Sequence, residues 1–114
     1  MIIDKNLEVL ARWDARTRER IRGLINDELI EEYRRNPFGH HSAALERVLV
    51  YFRQTPTKGK YVLVRMRSDL KFRIATLSGA RGAPPNFVDK RTFDAEGEAH
   101  HAVFMLRIDE LMRQ

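Results

Sequence analysis

Apolar positions change their period near residue 55, and this change divides the chain into two parts. Before it, apolar residues recur every three or four positions, which is the spacing of an amphipathic helix. After it, residues 60–67 alternate apolar and polar in period two, which is typical of a half-buried strand. The pattern predicts an α+β fold with N-terminal helices, an antiparallel β-hairpin or three-stranded sheet, and a C-terminal helix. We expect one domain over residues 1–114, helical over about 1–54 and built of the hairpin and last helix over about 60–114.

Three helices are predicted in the first part. A short helix ends near Asp14 and carries Trp13 as a packing anchor. A second helix runs from Thr17 and ends before Pro37, because the residue that precedes a proline avoids the helical region. A third helix is capped by Ser42. The apolar stripe of the second helix comprises Ile21, Leu24, Ile25, Leu29, Ile30 and Tyr33.

The second part predicts a hairpin and one further strand. Residues 60–67 and 71–76 form its two strands, and residues 68–69 supply the turn. Residues 79–85 hold two glycines and two prolines and read as a loop, and residues 86–92 could add a short edge strand.

One face of this hairpin is predicted to be basic. Simple alternation projects Arg65, Arg67, Lys71 and Arg73 together, beside Tyr61. Such a face suits nucleic acid, and it suits equally an acidic partner protein or solvent. RNA-reading sheets show several stacked aromatic rings, and here Tyr61 is the one aromatic residue on that face. We therefore expect a protein partner and keep nucleic acid as the alternative.

The last helix is predicted to begin at an Asp94 cap and to run to about Met112. Its apolar arc is wider than contact with one sheet requires, so either the N-terminal helices cover its second side or a partner does. The candidate partner-binding residues of the chain are Arg65, Arg67, Arg73, Phe104 and Ile108.

Composition narrows the classes of protein that remain. With 43% apolar and 32% charged residues the chain is globular, and its net charge of +5 favours acidic partners. Sixteen of the 21 basic residues are arginine, which suits ion pairs at protein interfaces, although a GC-rich genome gives the same bias. The absence of cysteine excludes disulfides, thiolate metal sites and cysteine nucleophiles. No apolar run approaches the roughly 20 residues of a membrane span, so we expect a soluble cytoplasmic protein.

Candidate chemistry is confined to two histidine pairs, His40-His41 and His100-His101. Neighbours on a helix point about 100° apart, so one pair cannot easily chelate an ion. A ligand set drawn from both pairs is conceivable, but structural or interface roles are favoured. No nucleophile elbow, phosphate loop or carboxylate pair stands out. We assign no catalytic, cofactor-binding or metal residue, and a free-standing enzyme that uses His41 or His100 is a third hypothesis.

Four segments resemble the small subunit of N,N-dimethylformamidase: residues 31–39 (EEYRRNPFG), 51–61 (YFRQTPTKGKY), 73–76 (RIAT) and 98–104 (EAHHAVF) followed by Arg107-Ile108. The resemblance extends over roughly residues 18–110. It implies an amidohydrolase complex that cleaves N-substituted formamides to formate and an alkylamine. By the same resemblance, the large subunit carries a mononuclear iron and the chemistry. The resemblance further implies a heterotetramer of two small and two large chains, or a multiple of it.

The resemblance makes this chain an accessory, non-catalytic subunit that is inactive alone and holds no cofactor of its own. Its expected partner is the large subunit, with no membrane and no nucleic acid. The alternative function is a small basic nucleic-acid-binding module that uses the hairpin face.

Overall fold

The computed structural model describes residues 5–54 and 60–113, with side chains from residue 14 onward, so the predicted packing role of Trp13 lies outside the described side chains. These residues form α1 (Lys5–Leu24), α2 (Asp27–Arg35), α3 (Ala43–Arg53), β1 (Tyr61–Arg65), β2 (Phe72–Thr76), β3 (Asn86–Phe87) and α4 (Glu96–Arg113). The strands make an antiparallel sheet in the order β1-β2-β3. The predicted α+β class, with N-terminal helices, a three-stranded sheet and a C-terminal helix, is confirmed.

The break between the first two helices lies later than predicted. Helix α1 continues through Asp14, where an ion pair to Arg18 at 3.0 Å spans one helical turn. The chain leaves the helix at Asn26, which is extended, with φ −147° and ψ 176°. The Asn26 side chain accepts a hydrogen bond from the backbone N–H of Leu29 at 2.8 Å. Asparagine is among the best N-cap residues, and this cap starts a new helix inside the apolar stripe.

The predicted cap of α3 is confirmed, and it also joins two helices. Ser42 Oγ accepts a hydrogen bond from the backbone N–H of Leu45 at 3.3 Å. The same hydroxyl donates to Glu32 Oε1, and the Ser42 backbone N–H donates to Glu32 Oε2, both at 2.7 Å. Since Glu32 belongs to α2, one carboxylate ties the end of α2 to the start of α3.

The predicted cap of the last helix is one residue too early. The carbonyl of Ala95 accepts the first helical hydrogen bond, from the N–H of Ala99 at 3.2 Å, which places Ala95 at the N-cap position. The Asp94 carboxylate instead lies 3.6 Å from the ammonium group of Lys71, next to the sheet.

The predicted third strand is confirmed but shorter, at two residues. Beyond it, Phe93 forms an isolated bridge with Phe72, in which each backbone N–H donates to the other's carbonyl at 2.8 and 2.9 Å. The segment after β3 therefore stays beside β2 until the last helix begins.

The core lies between the helices, and α4 is its central element. Helix α4 packs on α1 and α2 on one side and on β1 and β2 on the other. The N-terminal helices thus cover part of its wide apolar arc, while Met105 and Met112 remain exposed. Within the described ranges, no helix combines the length and the apolarity needed to cross a bilayer. The core residues are Ile21, Leu29, Tyr33, Leu45, Val48, Leu49, Phe52, Phe104, Ile108 and Leu111.

Candidate partner-binding surface

The sheet has two faces, defined by the cross-strand register. Directly paired residues of antiparallel strands point to the same side. The inner face carries Tyr61, Leu63, Arg65, Phe72, Ile74 and Thr76. The outer face carries Val62, Val64, Arg73, Ala75 and Phe87.

The inner face packs on α4. The Tyr61 hydroxyl donates a hydrogen bond to the Glu110 carboxylate, and the Arg107 guanidinium lies 5.5 Å from the centre of the Tyr61 ring. Burial, with the bond to Glu110, raises the pKa of Tyr61 to about 12. Ile74 on this face has no exposed surface. Contact with α4 therefore occupies part of the face that carries Tyr61 and Arg65.

The predicted basic face is wrong. Odd-numbered residues of β1 pair with even-numbered residues of β2, so Arg65 shares a face with Phe72, while Arg73 pairs with Val64 on the other face. Arg67 lies in the turn between the strands. Alternation within each strand holds, but the register separates Arg65 from Arg73. The nucleic-acid alternative loses the single face on which it depended.

Arg73 is engaged within the chain. Its guanidinium stacks 4.0 Å from the centre of the Phe87 ring and donates through Nη2 to the carbonyl oxygen of Asp89 at 2.6 Å. Its Nε is buried and has no acceptor among the described residues. The side chain of Arg73 therefore fastens β3 to β2.

The hairpin ends in an exposed leucine with an unusual backbone. The Met66 N–H donates to the Lys71 carbonyl at 2.8 Å, and the Leu70 N–H donates to the Met66 carbonyl at 2.9 Å. Among the described residues, Leu70 is the one non-glycine with a positive φ, 61°, and it is 60% exposed. A left-handed conformation costs an ordinary L-residue roughly 1–2 kcal/mol.

The net charge of the chain is concentrated around the sheet. Residues 60–94 hold eight of the 21 basic residues and three of the 16 acidic ones, so this segment accounts for the whole net charge of +5. Ion pairs join Lys71 to Asp94 and Arg91 to Asp89. In the described part of the chain, four exposed cations of the segment form no ion pair: Arg65, Arg67, Arg81 and Lys90.

Two of the predicted partner-binding residues are core residues. Phe104 is 2% exposed and Ile108 is 7% exposed. The Phe104 ring lies 4.4 Å from that of Tyr33 and 5.8 Å from that of Phe52, measured between centroids. In this conformation they offer no surface to a partner, and partner contact by them stays a prediction.

The histidine pairs are separated in the structure. Both ring nitrogens of His41 face acceptors, Nδ1 at 3.1 Å from Glu46 Oε1 and Nε2 at 2.7 Å from the Asn36 carbonyl oxygen. These contacts fix the connection between α2 and α3. His100 lies edge-on to the Phe38 ring, with centroids 5.4 Å apart.

His101 lies in a partly buried environment. Its Nδ1 is buried and has no hydrogen-bond partner within the described ranges. Burial lowers the pKa of His101 below its ordinary 6.5, and the Arg34 guanidinium lowers it further. Over residues 5–54 and 60–113, no three His, Asp or Glu side chains form a group that could hold a metal ion. The resemblance assigns the iron to the large subunit, and we derive no step through it.

A cleft of about 330 Å³ opens where α2, α3, α4 and the start of β1 meet. Its charged lining residues are Arg53, Lys60 and Arg107, and the described lining includes no carboxylate. Arg107 donates to the Phe52 carbonyl oxygen at 3.1 Å, and burial lowers the pKa of its guanidinium. Cations beside aromatic rings can bind an anionic group.

A small α+β chain whose net charge lies around one sheet, where Leu70, Phe87 and Val88 are also exposed, has features of a chain that binds a larger partner. The family model described as N,N-dimethylformamidase alpha subunit matches residues 8–114. A protein named N,N-dimethylformamidase alpha subunit from Alcaligenes sp is 41% identical over 113 residues, covering 95% of this chain and 84% of the relative. One of the same name from Paracoccus aminophilus is 38% identical over 116 residues, covering 97% and 81%. The chain belongs to the N,N-dimethylformamidase alpha subunit family, as the four segments predicted.

Proposed function

We propose that this chain is the accessory subunit of a hydrolase that cleaves N,N-dimethylformamide and similar N-substituted formamides to formate and an alkylamine. The observation that carries the proposal is the family match, which extends from residue 8 to residue 114. The name of the family denotes one chain of an enzyme with several subunits. The proposal places the chemistry and a mononuclear iron on the large subunit and gives this chain a binding and stabilising role.

The features of the chain support a binding role. The net charge of +5 lies around the sheet, and three of the exposed apolar side chains, Leu70, Phe87 and Val88, lie there too. His41, a candidate residue of the free-standing enzyme hypothesis, makes two contacts that fix the loop between α2 and α3. The proposed assembly contains two small and two large chains, or a multiple of that heterotetramer.

Reconstitution tests the proposal directly. A large subunit of this family is produced with and without this chain, and formate release from N,N-dimethylformamide is measured for each chain and for the mixture. We expect no turnover by this chain, little by the large chain, and full activity in the mixture. A heat-denatured sample of this chain is the control. Turnover by the purified chain alone, or full activity of the large chain without it, would contradict the proposal.

Metal analysis and mass measurement test the finer assignments. Iron should co-purify stoichiometrically with the large chain and not with this one, and light scattering should give equal numbers of the two chains. One iron per purified small chain would overturn the placement of the metal.

A further inference from the structure

We infer that the outer face of the sheet and the tip of its hairpin form the surface that docks this chain on the large subunit, with Leu70 as an anchor. The partner patch is apolar at its centre and acidic at its rim. The inference rests on the proposed function and adds to it the surface and the chemistry of the contact.

The outer face offers partly exposed apolar area around Ala75, which itself has no exposed surface. Helix α4 lies against the inner face, through Tyr61. On the opposite side are Val62 and Val64, both partly exposed, and Phe87, which is 42% exposed even with Arg73 stacked on it. Exposed aromatic side chains are enriched at the centre of protein interfaces.

Leu70 is not explained by the free chain. Its φ of 61° suits glycine or asparagine, and its side chain is 60% exposed, so it contributes little to the core. A leucine with an unfavourable backbone conformation and an exposed side chain is explained if a partner buries that side chain. A pocket on the large subunit supplies that reason.

Charge indicates the rim of the partner patch. Residues 60–94 carry the whole net charge of +5, and the remainder of the chain is neutral. The exposed cations Arg67, Arg81 and Lys90 have no ion-pair partner in the described part of the chain. Complementary acidic residues on the large subunit would orient the encounter and make association weaken as salt rises.

The apolar part is tested by measuring the affinity of the full chain for the large subunit. Leu70→Gly removes the anchor and relieves the backbone, so we expect association weaker by about tenfold with an unchanged or higher thermal midpoint of the free chain. Leu70→Asn repeats the test with a second residue that accepts positive φ. Phe87→Ala should also weaken association. Val50→Ala, at a 44% exposed apolar position on α3, is the matched control and should change affinity by less than about twofold.

The charged part is tested by charge reversal. Arg67→Glu should slow association and reduce its dependence on salt. Arg47→Glu makes the same change at an exposed position on α3 and should have little effect.

The outcomes separate the two proposals. If Leu70→Gly, Leu70→Asn and Phe87→Ala bind the large subunit like the unchanged chain, the docking surface is wrong while the accessory function stands. If the unchanged chain does not bind the large subunit, both fail. Tight binding of a short single-stranded RNA in place of the large subunit, weakened by Arg67→Glu, would assign the basic segment to nucleic acid and overturn the inference.

Discussion

Replacement of Ser42 by alanine tests the junction between α2 and α3. The Ser42 hydroxyl accepts from the Leu45 N–H at 3.3 Å and donates to Glu32 at 2.7 Å. Ser42→Ala removes both hydrogen bonds and leaves the one from the Ser42 backbone N–H to Glu32 in place. The change therefore removes both hydrogen bonds of this hydroxyl together.

The expected loss follows from these two contacts. Removal of a serine N-cap costs about 1 kcal/mol. A hydrogen bond to a carboxylate contributes about 1.5–3 kcal/mol when buried, and solvent reduces it to about 1 kcal/mol at this exposed position. We expect the free energy of unfolding to fall by about 2 kcal/mol, and the thermal midpoint of a chain of this length by about 8 °C.

Urea unfolding at neutral pH, followed by circular dichroism, measures this loss. The midpoint should shift while the slope against urea stays the same, since the change does not alter the surface exposed on unfolding. Ser68→Ala is the matched control, because Ser68 is an exposed turn residue with no hydrogen bond in the described ranges, and it should change stability by less than about 0.5 kcal/mol.

A double-mutant cycle with Glu32→Gln separates the cap from the bond to the carboxylate. The hydrogen bonds from the Ser42 backbone N–H and hydroxyl lower the pKa of Glu32, so the charged form is favoured in the folded state. Ser42→Ala should therefore cost less in the Glu32→Gln background. Equal losses in the two backgrounds, or a Ser42→Ala variant as stable as Ser68→Ala, would refute this account of the junction.

Three further predictions concern stability, each measured by urea unfolding of the full chain. Asn26→Ala should lower the free energy of unfolding by about 1 kcal/mol and Asn26→Asp by much less, because aspartate can still accept the bond from the Leu29 N–H; equal losses would exclude the cap. Leu45→Ala should cost about 2–5 kcal/mol, since Leu45 is fully buried, and a loss below that range would contradict its place in the core. Burial lowers the folded-state pKa of His101. The contribution of His101 to the free energy of unfolding should therefore be complete above pH 6.5, the unfolded-state pKa. It should be lost as the pH falls through the lower folded-state pKa. His101→Gln should flatten stability over that window, and an unchanged slope would show that another group titrates there.

Most of the fold could be predicted from local sequence patterns. The Ser42 cap could be predicted because a serine stands immediately before an apolar stripe, and β1 could be predicted because its residues alternate in period two. The helix break was misplaced because Asn26 has two meanings in a sequence: a polar position on one long helix, or the cap of a new one. The tertiary structure selects the second.

The composition of the candidate surface depends on the cross-strand register, which the pattern within one strand does not give. Whether Arg65 and Arg73 share a face is set by the cross-strand register. Pairing the residues outward from the predicted turn at 68–69 already places Arg65 opposite Phe72, and that step would have separated the two arginines. The leucine at positive φ had no signal, because glycine or asparagine is the expected residue at such a position.

The family could be predicted from the resemblance, whereas the burial of Phe104 and Ile108 could not, because it depends on tertiary packing. The segments quoted from the sequence predicted the family that the comparisons confirm. The apolar arc of α4 left open whether Phe104 and Ile108 face a partner or the helices. The answer depended on how α1 and α2 lie against α4, which is a tertiary relation.

The stacking of Arg73 on Phe87 bears on how ionic strength should act on this chain. Strand β3 has only two residues, so its own ladder hydrogen bonds are few. The Arg73 guanidinium fixes it to β2 by stacking on Phe87 and donating to the Asp89 carbonyl oxygen. Lys71 and Arg91 form ion pairs with carboxylates of the same segment, Asp94 and Asp89. Fewer counterions should therefore be displaced on complex formation than the eight cations of residues 60–94 would suggest, and the salt titration should be correspondingly shallow.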